Sequence, residues 1–394
     1  MSSLSQQRFF DELKSFKQRF DDMKPVLELT VRDDHLGIEG YVVVWNTDIS
    51  KKGPLSNNGN GCGKGGTRVK NDLCLNDVKR MARAMAKKTA AAGLPLGGAK
   101  SGLRTSPDDP DYEKKWKRFV QLVKDAGVLI EDGGVFGGFG YDIGGKPPLN
   151  ALWTIEQLGS GHCFTGKPID HGGTDYDKIG IAGLGVAEAG KTLLKLKAHN
   201  HDPSYAVQGM GAMGSAVTRY FDGRLKVVSD IHYGGTWVFD DHASNHFILS
   251  PTLENLEKEA QKISDDPAAS LYADVDIVFP CALEDTLTKD NAHLVKAPYI
   301  VEGANNPTTD EAYQILFDRN ILIVPGIIAN AGGIIAAFVE MTSKAGNKSE
   351  EAIALTKDRV SDNIKQVMRY VDDLNVRPDL AADYITYKTI LNKG

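Results

Sequence analysis

Lys88 and Lys100 bracket the segment Lys88-Thr-Ala-Ala-Ala-Gly93-Leu-Pro95-Leu-Gly97-Gly98-Ala-Lys100-Ser-Gly102. The alanine run predicts the end of a helix, Gly93 and Pro95 predict its break, and the paired glycines predict a turn that delivers Lys100. An ammonium in an apolar, glycine-lined pocket beside a second ammonium loses its proton more easily, through desolvation and like-charge repulsion. Such a lysine can serve as an acid or base near neutral pH. Gly97, Gly98 and Gly102 add room for close approach of backbone or ligand. The competing reading is two solvated lysines, with Lys88 favoured in a last helical turn by the helix dipole.

A second pattern lies in Tyr205-Ala-Val-Gln-Gly209-Met-Gly211-Ala212-Met213-Gly214, a GxGxxG that follows an apolar run and opens an alanine-containing helix. In that setting Gly209 makes the tight turn, Gly211 lets backbone meet a pyrophosphate, and Gly214 permits helix against strand. The helix N-terminus then stabilises phosphate charge. Strand 225–229 ends at Asp230, twenty-one residues after Gly209, where an acid binds the adenosine ribose hydroxyls. A carboxylate there repels a 2′-phosphate, so NAD is expected over NADP. The alternative is that Asp230 is a turn residue ahead of His232 and Gly234.

These residues need a scaffold, and 394 residues are enough for two domains. The formal net charge of −6 disfavours nucleic acid or an anionic membrane as partner and points to a small molecule. Cys62, Cys74, Cys163 and Cys281 are scattered, with no CxxC and no His pairing at zinc-ligand spacing. Reduced thiols in a cytoplasmic protein, and no metal site, are expected. The N-terminus lacks an apolar signal core, and the longest apolar candidate, 326–341, is shorter than the roughly 20 residues a membrane span takes. No export signal and no membrane anchor are expected.

Along the chain, Phe9, Leu13, Phe16, Phe20 and Met23 predict an amphipathic helix over 4–23, its aromatic stripe serving a core or subunit interface. Short strands are predicted at 27–31 and 41–45, then a glycine and asparagine loop at 56–66. Helix 76–92 has Asn76 and Asp77 as cap candidates. Helix 111–126 leads into a strand at 128–130, and 131–145 is too glycine-rich for regular structure. After a turn-rich stretch, 165–179, helix 181–198 bridges to a second domain. There strands at 204–208, 225–229, 275–279, 298–302 and 321–324 alternate with helices, which argues for a parallel, doubly wound sheet. The expected architecture is α/β in two domains: an N-terminal α/β domain over 1–180 and a C-terminal Rossmann-type domain over 181–345. Charged helices over 345–394 pack back.

With these blocks in order, the chain resembles the glutamate/leucine/phenylalanine/valine dehydrogenases. The matching blocks are Lys64-Gly-Gly-Thr-Arg68, Lys88 through Gly102, Tyr-Asp142-Ile-Gly, Thr165-Gly-Lys-Pro168, the GxGxxG, Ser229-Asp230, Pro280-Cys-Ala282, Glu302-Gly-Ala-Asn-Asn-Pro-Thr-Thr308 and Asn330-Ala-Gly-Gly333. The resemblance implies NAD(P)-dependent oxidative deamination of an L-amino acid to a 2-oxo acid and ammonium, and the reverse. The N-terminal domain would then bind substrate and carry oligomerisation, in a homo-oligomer of hexameric, octameric or dimeric form. The site would lie in a cleft between the domains that closes by hinge motion. Lys88 would pair with the substrate α-carboxylate, Lys100 would polarise the carbonyl and activate water, and Asp142 would relay protons to and from nitrogen. Asp142 follows an expanded glycine loop, so Asp132 is a rival for that role. Cys281, Ala282, Asn305 and Asn330 would line the cofactor alongside the glycine loop.

Substrate choice turns on Lys64, Gly65 and Gly66, which match the position where the glutamate enzymes hold the side-chain carboxylate. Ala337 stands where those enzymes use a serine. The Gly-Gly-Thr-Arg68 and Ala90–Leu94 blocks look closer to the leucine enzymes. Glutamate is the leading substrate, with leucine-, phenylalanine- or valine-type substrates next, and a non-catalytic nucleotide-binding relative as a further alternative. Lys64 also admits the reading of a solvated loop lysine.

Overall fold

The computed structural model describes residues 4–240 and 245–391, and its chain divides into two compact units. The first gathers Arg8–Tyr176, Ile334–Ala352 and Tyr384–Gly394; the second gathers Met1–Gln7, Asp177–Gly333 and Ile353–Asp383. The chain thus crosses between units at 7/8, 176/177, 333/334, 352/353 and 383/384. Among the described residues no helix is long and apolar enough to cross a membrane.

In the first unit, β1 (Leu27–Asp33), β2 (Ile38–Trp45) and β5 (Gly97–Leu103) form an antiparallel run. β3 (Gly63–Lys64) and β4 (Thr67–Val69) both pair parallel with the other edge of β5. Side chains alternate across a strand, so β2 feeds two cores. Val42 and Val44 pack with Trp116, Phe119 and Val123 of helix Tyr112–Asp125. Tyr41, Val43 and Trp45 pack with Val78, Ala82, Ala86 and Ala90 of helix Leu75–Ala91. Each large side chain buried this way contributes roughly 1.5–3 kcal/mol.

The sequence expectation of a turn at Gly97–Gly98 is corrected here, because both glycines lie in the buried strand that carries Lys100. Their absent side chains serve packing: a Cβ on Gly98 would stand 2.1 Å from the Ala86 nitrogen, so helix Leu75–Ala91 lies directly on β5. The helix cap is also one turn-end earlier than expected, at Cys74, whose N–H donates to Asp77 Oδ2 at 3.2 Å. Instead of a strand at 128–130 there is one bridge, Leu129 to Phe136, followed by a 3-10 turn, Ile130–Asp132. The glycine-rich loop contains β6 (Phe139–Gly140), which pairs parallel with β7 (Phe164–Thr165) because buried Phe136 and Phe139 anchor it.

Helix Gln6–Asp21 uses its aromatic stripe within this core. Phe9 lies 4.8 Å from the Tyr384 ring and Phe20 5.4 Å from the Tyr387 ring. Tyr384 Oη donates to Glu12 Oε2 at 2.6 Å. The end of the last helix, Pro378–Leu391, therefore packs back on the first unit, as expected of the C-terminal segment. Residues 392–394 of the expected C-terminal stretch lie outside the described residues.

The second unit holds seven strands: β8 (Ser204–Gln208), β9 (Arg224–Asp230), β10 (Gly235–Phe239), β11 (Ala260–Ser264), β12 (Ile277–Pro280), β13 (Tyr299–Val301) and β14 (Leu322–Val324). Their order is β11-β10-β9-β8-β12-β13-β14. β9, β8, β12, β13 and β14 are mutually parallel, while β10 and β11 add an antiparallel edge that the sequence pattern does not signal. Chain order reverses between β8 and β12, which makes a crevice at their carboxyl ends. Helix Lys348–Leu374 belongs to this unit from Ile353 onward. Gly185 on helix Ile181–Leu196 has room only for hydrogen, because a Cβ there would meet Ala329 O at 2.7 Å and Thr356 and Val360 just beyond. The ion pair Lys197–Asp372, at 2.6 Å, adds to that contact, and Arg377–Asp310 ties the segment after helix Lys348–Leu374 to helix Asp310–Asp318.

Candidate functional site

On the first unit, β5 presents Lys100 on the face that meets helix Leu75–Ala91, alternating with Gly98 and Gly102. Lys100 is 7% exposed, and its Nζ lies 2.6 Å from Asp142 Oδ2. Arg68 on β4 donates to the same carboxylate, from Nε to Oδ2 at 2.8 Å and from Nη2 to Oδ1 at 3.3 Å. Gly66 makes the approach of the Asp142 loop possible, since a Cβ there would stand 2.4 Å from Tyr141 O. Asp132 is exposed on its 3-10 turn and takes no part in this cluster.

The electrostatics follow from burial and charge. Desolvation lowers the Lys100 pKa most strongly, Asp142 opposes this, and Arg68 adds to it, leaving the ammonium below its ordinary value. Lys88, half-buried in the last turn of its helix, is lowered by burial first and by Lys100 second. For Asp142 burial raises the carboxyl pKa, but Lys100 and Arg68 outweigh it and hold the group below the usual range. The reading of solvated lysines is therefore overturned for Lys100. Arg68 is the residue that sequence reasoning quoted within a block but gave no task.

Lys64 is corrected in the same way: it is 1% exposed and not a solvated loop lysine. Its Nζ donates to Gly138 O at 2.7 Å and to Phe139 O. Burial brings its pKa down to about 7, with Lys167 the second cause. Gly65 is required by the strand edge, where a Cβ would meet Ala99 O at 1.8 Å. Ala337 is buried on helix Gly332–Thr342, three residues before Glu340. Sequence reasoning missed Glu340, whose Oε1 accepts from Thr174 N (2.9 Å) and Oγ1 (2.8 Å). Its Oε2 accepts from Gly166 N (2.9 Å) and Lys167 Nζ (3.2 Å). The available signal was one acid in an otherwise apolar helix, since a buried charge needs partners.

On the second unit the glycine loop has the form a dinucleotide pyrophosphate requires. Gly209 follows β8 with φ +86°, and Gly214 sits against it, a Cβ there falling 1.9 Å from Gly209 O. Gly211 faces open space and is the N-cap of helix Ala212–Tyr220, with no side chain capping the orphan N–H groups that Ala212 and Met213 help to present. Asp230, at the end of β9, accepts from Met210 N at 2.6 Å through Oδ2 and from His232 N at 2.7 Å through Oδ1. It therefore holds the glycine loop and the following turn together, as the turn reading of Asp230 expects. Across the crevice Cys281 N donates to Gln208 O at 2.7 Å, and Ala282 packs on Gly209. Burial pushes the Cys281 thiol up, which suits a wall rather than a nucleophile. Asn330 Nδ2 donates to Gly303 O and Asn305 Oδ1, both at 3.1 Å, and its buried Oδ1 has no protein partner. That orphaned acceptor suits an amide donor such as a carboxamide, so the residues present fit a nicotinamide dinucleotide.

Fold and glycine-loop geometry together define a two-domain α/β protein with a Rossmann-type unit. The profile described as Glutamate/Leucine/Phenylalanine/Valine dehydrogenase matches residues 172–393, and that of the Glu/Leu/Phe/Val dehydrogenase dimerisation domain matches 54–133. The chain belongs to this oxidoreductase family. It is similar to the glutamate dehydrogenase of Aeropyrum pernix, 29% identical over 80% of this chain and 78% of the relative. It is also similar to the NADP(+)-dependent glutamate dehydrogenase of Pyrobaculum calidifontis, 32% identical over 77% of this chain and 72% of the relative. Among solved structures, glutamate dehydrogenase from Peptoniphilus asaccharolyticus superposes with a TM-score of 0.75 at 20% identity, covering 98% of both chains. L-tryptophan dehydrogenase from Nostoc punctiforme gives 0.70 at 21% identity, covering 96% of this chain and 99% of that one.

Proposed function

We propose that this protein is an NAD-dependent L-amino-acid dehydrogenase with glutamate as its leading substrate, acting as a cytoplasmic homo-oligomer. The observation that carries the reading is the buried contact of Lys100 with Asp142, 2.6 Å long, with Lys88 lowered in basicity by its own burial and by the Lys100 charge. A cation with lowered pKa beside an ionised carboxylate is the pair needed to move protons on and off a carbon that alternates between C=O and C–NH2.

In the reductive direction Lys88 holds the 2-oxo acid through its α-carboxylate, and Lys100 donates to the carbonyl oxygen. Ammonia adds to the polarised carbon and Lys100 protonates the oxygen to a hydroxyl; Asp142 takes the proton that the nitrogen sheds and passes it on through Lys100, so that the oxygen leaves as water and a C=NH2+ group remains. When bound, the nicotinamide supplies the hydride for the α-carbon or accepts it in reverse. Gly209, Gly211, Ala212, Met213 and Gly214 would hold its pyrophosphate, Asp230 its ribose, and Cys281, Ala282, Asn305 and Asn330 its nicotinamide end. Arg68 keeps Asp142 ionised and oriented. The NAD preference rests on the Asp230 carboxylate, which opposes a 2′-phosphate. Lys64, buried with no carboxylate bonded to it among the described residues, favours an acidic side chain, because a buried carboxylate needs a cation.

The test is nicotinamide oxidation with ammonium and either 2-oxoglutarate or 4-methyl-2-oxopentanoate, for wild type and Lys64→Ala. Turnover of 2-oxoglutarate that disappears in the variant supports the reading. Turnover of the apolar acid alone would transfer the assignment to a leucine-type enzyme, for which Ala337 in place of a serine is the favouring observation. Bound NADH with no turnover on any 2-oxo acid would identify a non-catalytic relative.

A further inference from the structure

Away from the glycine loop, the second unit brings His199, His201 and Asp276 together, with one ligand-type atom of each within 4.8 Å of the others. The two histidines lie in the turn between helix Ile181–Leu196 and β8, and Asp276 immediately precedes β12. β8 and β12 are parallel neighbours, so the chain segments entering them start side by side. The cluster is thus at the amino ends of the strands. The crevice that receives a dinucleotide is at their carboxyl ends, roughly 17 Å away along a five-residue strand.

Three details distinguish this cluster from a surface ion pair. His199 is nine-tenths buried, and its Nε2 has no hydrogen-bond partner, although a buried imidazole nitrogen is normally satisfied. That nitrogen lies 4.0 Å from Asp276 Oδ1, and His201 Nε2 lies 3.4 Å from the same oxygen. The other carboxylate oxygen, Oδ2, is already held by Ser204 N and Oγ, both at 2.7 Å, so Oδ1 is fixed in place and turned toward the rings. The ring centroids lie 3.8 Å apart.

We propose that His199 Nε2, His201 Nε2 and Asp276 Oδ1 form a binding site for a divalent transition-metal ion of the zinc class. Metal–ligand bonds of 2.0–2.2 Å in a tetrahedron put neighbouring ligand atoms about 3.3 Å apart, so the observed separations need closure of less than about 1.5 Å. Two neutral imidazoles and one carboxylate suit such an ion, with the Ser204 contacts orienting the carboxylate from behind. His201 is exposed, and a cleft of about 280 Å3 whose lining includes Lys195, His199, His201 and Phe221 gives an entry path to both histidines. The ion would clip the turn after helix Ile181–Leu196 to the start of β12. Sequence spacing shows no zinc pattern because the third ligand comes from a distant strand.

The experiment uses untagged full-length protein, stripped with chelator and titrated with Co2+ alone, then with Zn2+ in competition. A single cobalt absorption band saturating at one ion per chain, displaced by one equivalent of Zn2+, is expected. His201→Ala, a change at an exposed side chain, should weaken Zn2+ binding at least about tenfold, since loss even of an outer-shell partner costs that much. His199→Gln should do the same while keeping the native circular dichroism spectrum. Cys74→Ser, at the exposed thiol, should change nothing. No saturable binding, unchanged affinity in both histidine variants, or loss of binding in Cys74→Ser would each overturn the proposal.

Discussion

Replacing Lys64 by methionine should change how stability depends on pH, by an amount that follows from the burial of its ammonium. In the unfolded chain Lys64 keeps its proton up to its ordinary value of 10.5, whereas in the fold it releases it at about 7. Between those values the unfolded state binds more protons, so stability rises with pH across the window. Below about 7 both states are protonated and the full penalty stands. The gap, 10.5 − 7 = 3.5 units, is worth about 5 kcal/mol. Going from near pH 7 to near pH 9.5 should recover about 3 kcal/mol of it. Methionine abolishes the titration and leaves the Gly138 and Phe139 carbonyls without this donor, a cost of about 1–3 kcal/mol each that pH does not change. The wild-type-minus-variant unfolding free energy should therefore move by about 3 kcal/mol in favour of wild type between the two pH values, whatever its absolute sign. Urea unfolding of both proteins at equal concentration, without substrate, measures this. A difference constant to within about 1 kcal/mol would show that Lys64 keeps its proton in the fold, and the argument for a latent cation awaiting an acidic side chain would fail.

Other consequences can be checked independently. Lys100→Ala should lower turnover at least about a thousandfold while NADH binding, read by fluorescence, stays within about twofold of wild type; wild-type rates would remove Lys100 from the mechanism. Arg68→Met takes one of two cations from Asp142, so the acid limb of kcat/KM against pH should move to higher pH, and an unmoved limb would assign it to another group. Asp230→Ser should raise the NADPH to NADH preference at least about tenfold, and an unchanged ratio would mean that the ribose is held elsewhere. Glu340→Gln leaves buried Lys167 without its carboxylate and should cost about 3–5 kcal/mol in denaturant unfolding; a loss under about 1 kcal/mol would show that the pair is dispensable.

Local chemistry was legible in the residues themselves. The GxGxxG turn and Asp230 were readable because a tight turn after a strand, the start of the next helix and an acid ending the following strand occupy fixed short spacings. The parallel strands of the second unit were readable from apolar runs between helices, and the aromatic stripe of helix Gln6–Asp21 from its period. Each depends on contacts within a few residues or on one repeating face. What tertiary structure decided depends on long-range register. Lys100 rides a central strand rather than a turn because β5 inserts between β2 and the β3–β4 edge, and only helix packing reveals why its neighbours are glycines. Asp142 rather than Asp132 reaches Lys100 because the loop folds over Gly66. Lys64 became a buried cation through carbonyls from a segment over seventy residues away. Glu340 and Asp276 gained partners from distant segments, and helix Lys348–Leu374 joined the second unit through a face that Gly185 leaves bare. Sequence determines which groups are available and which local turns they can make; the fold sets their desolvation and their neighbours, and those two terms determine the charge each one carries.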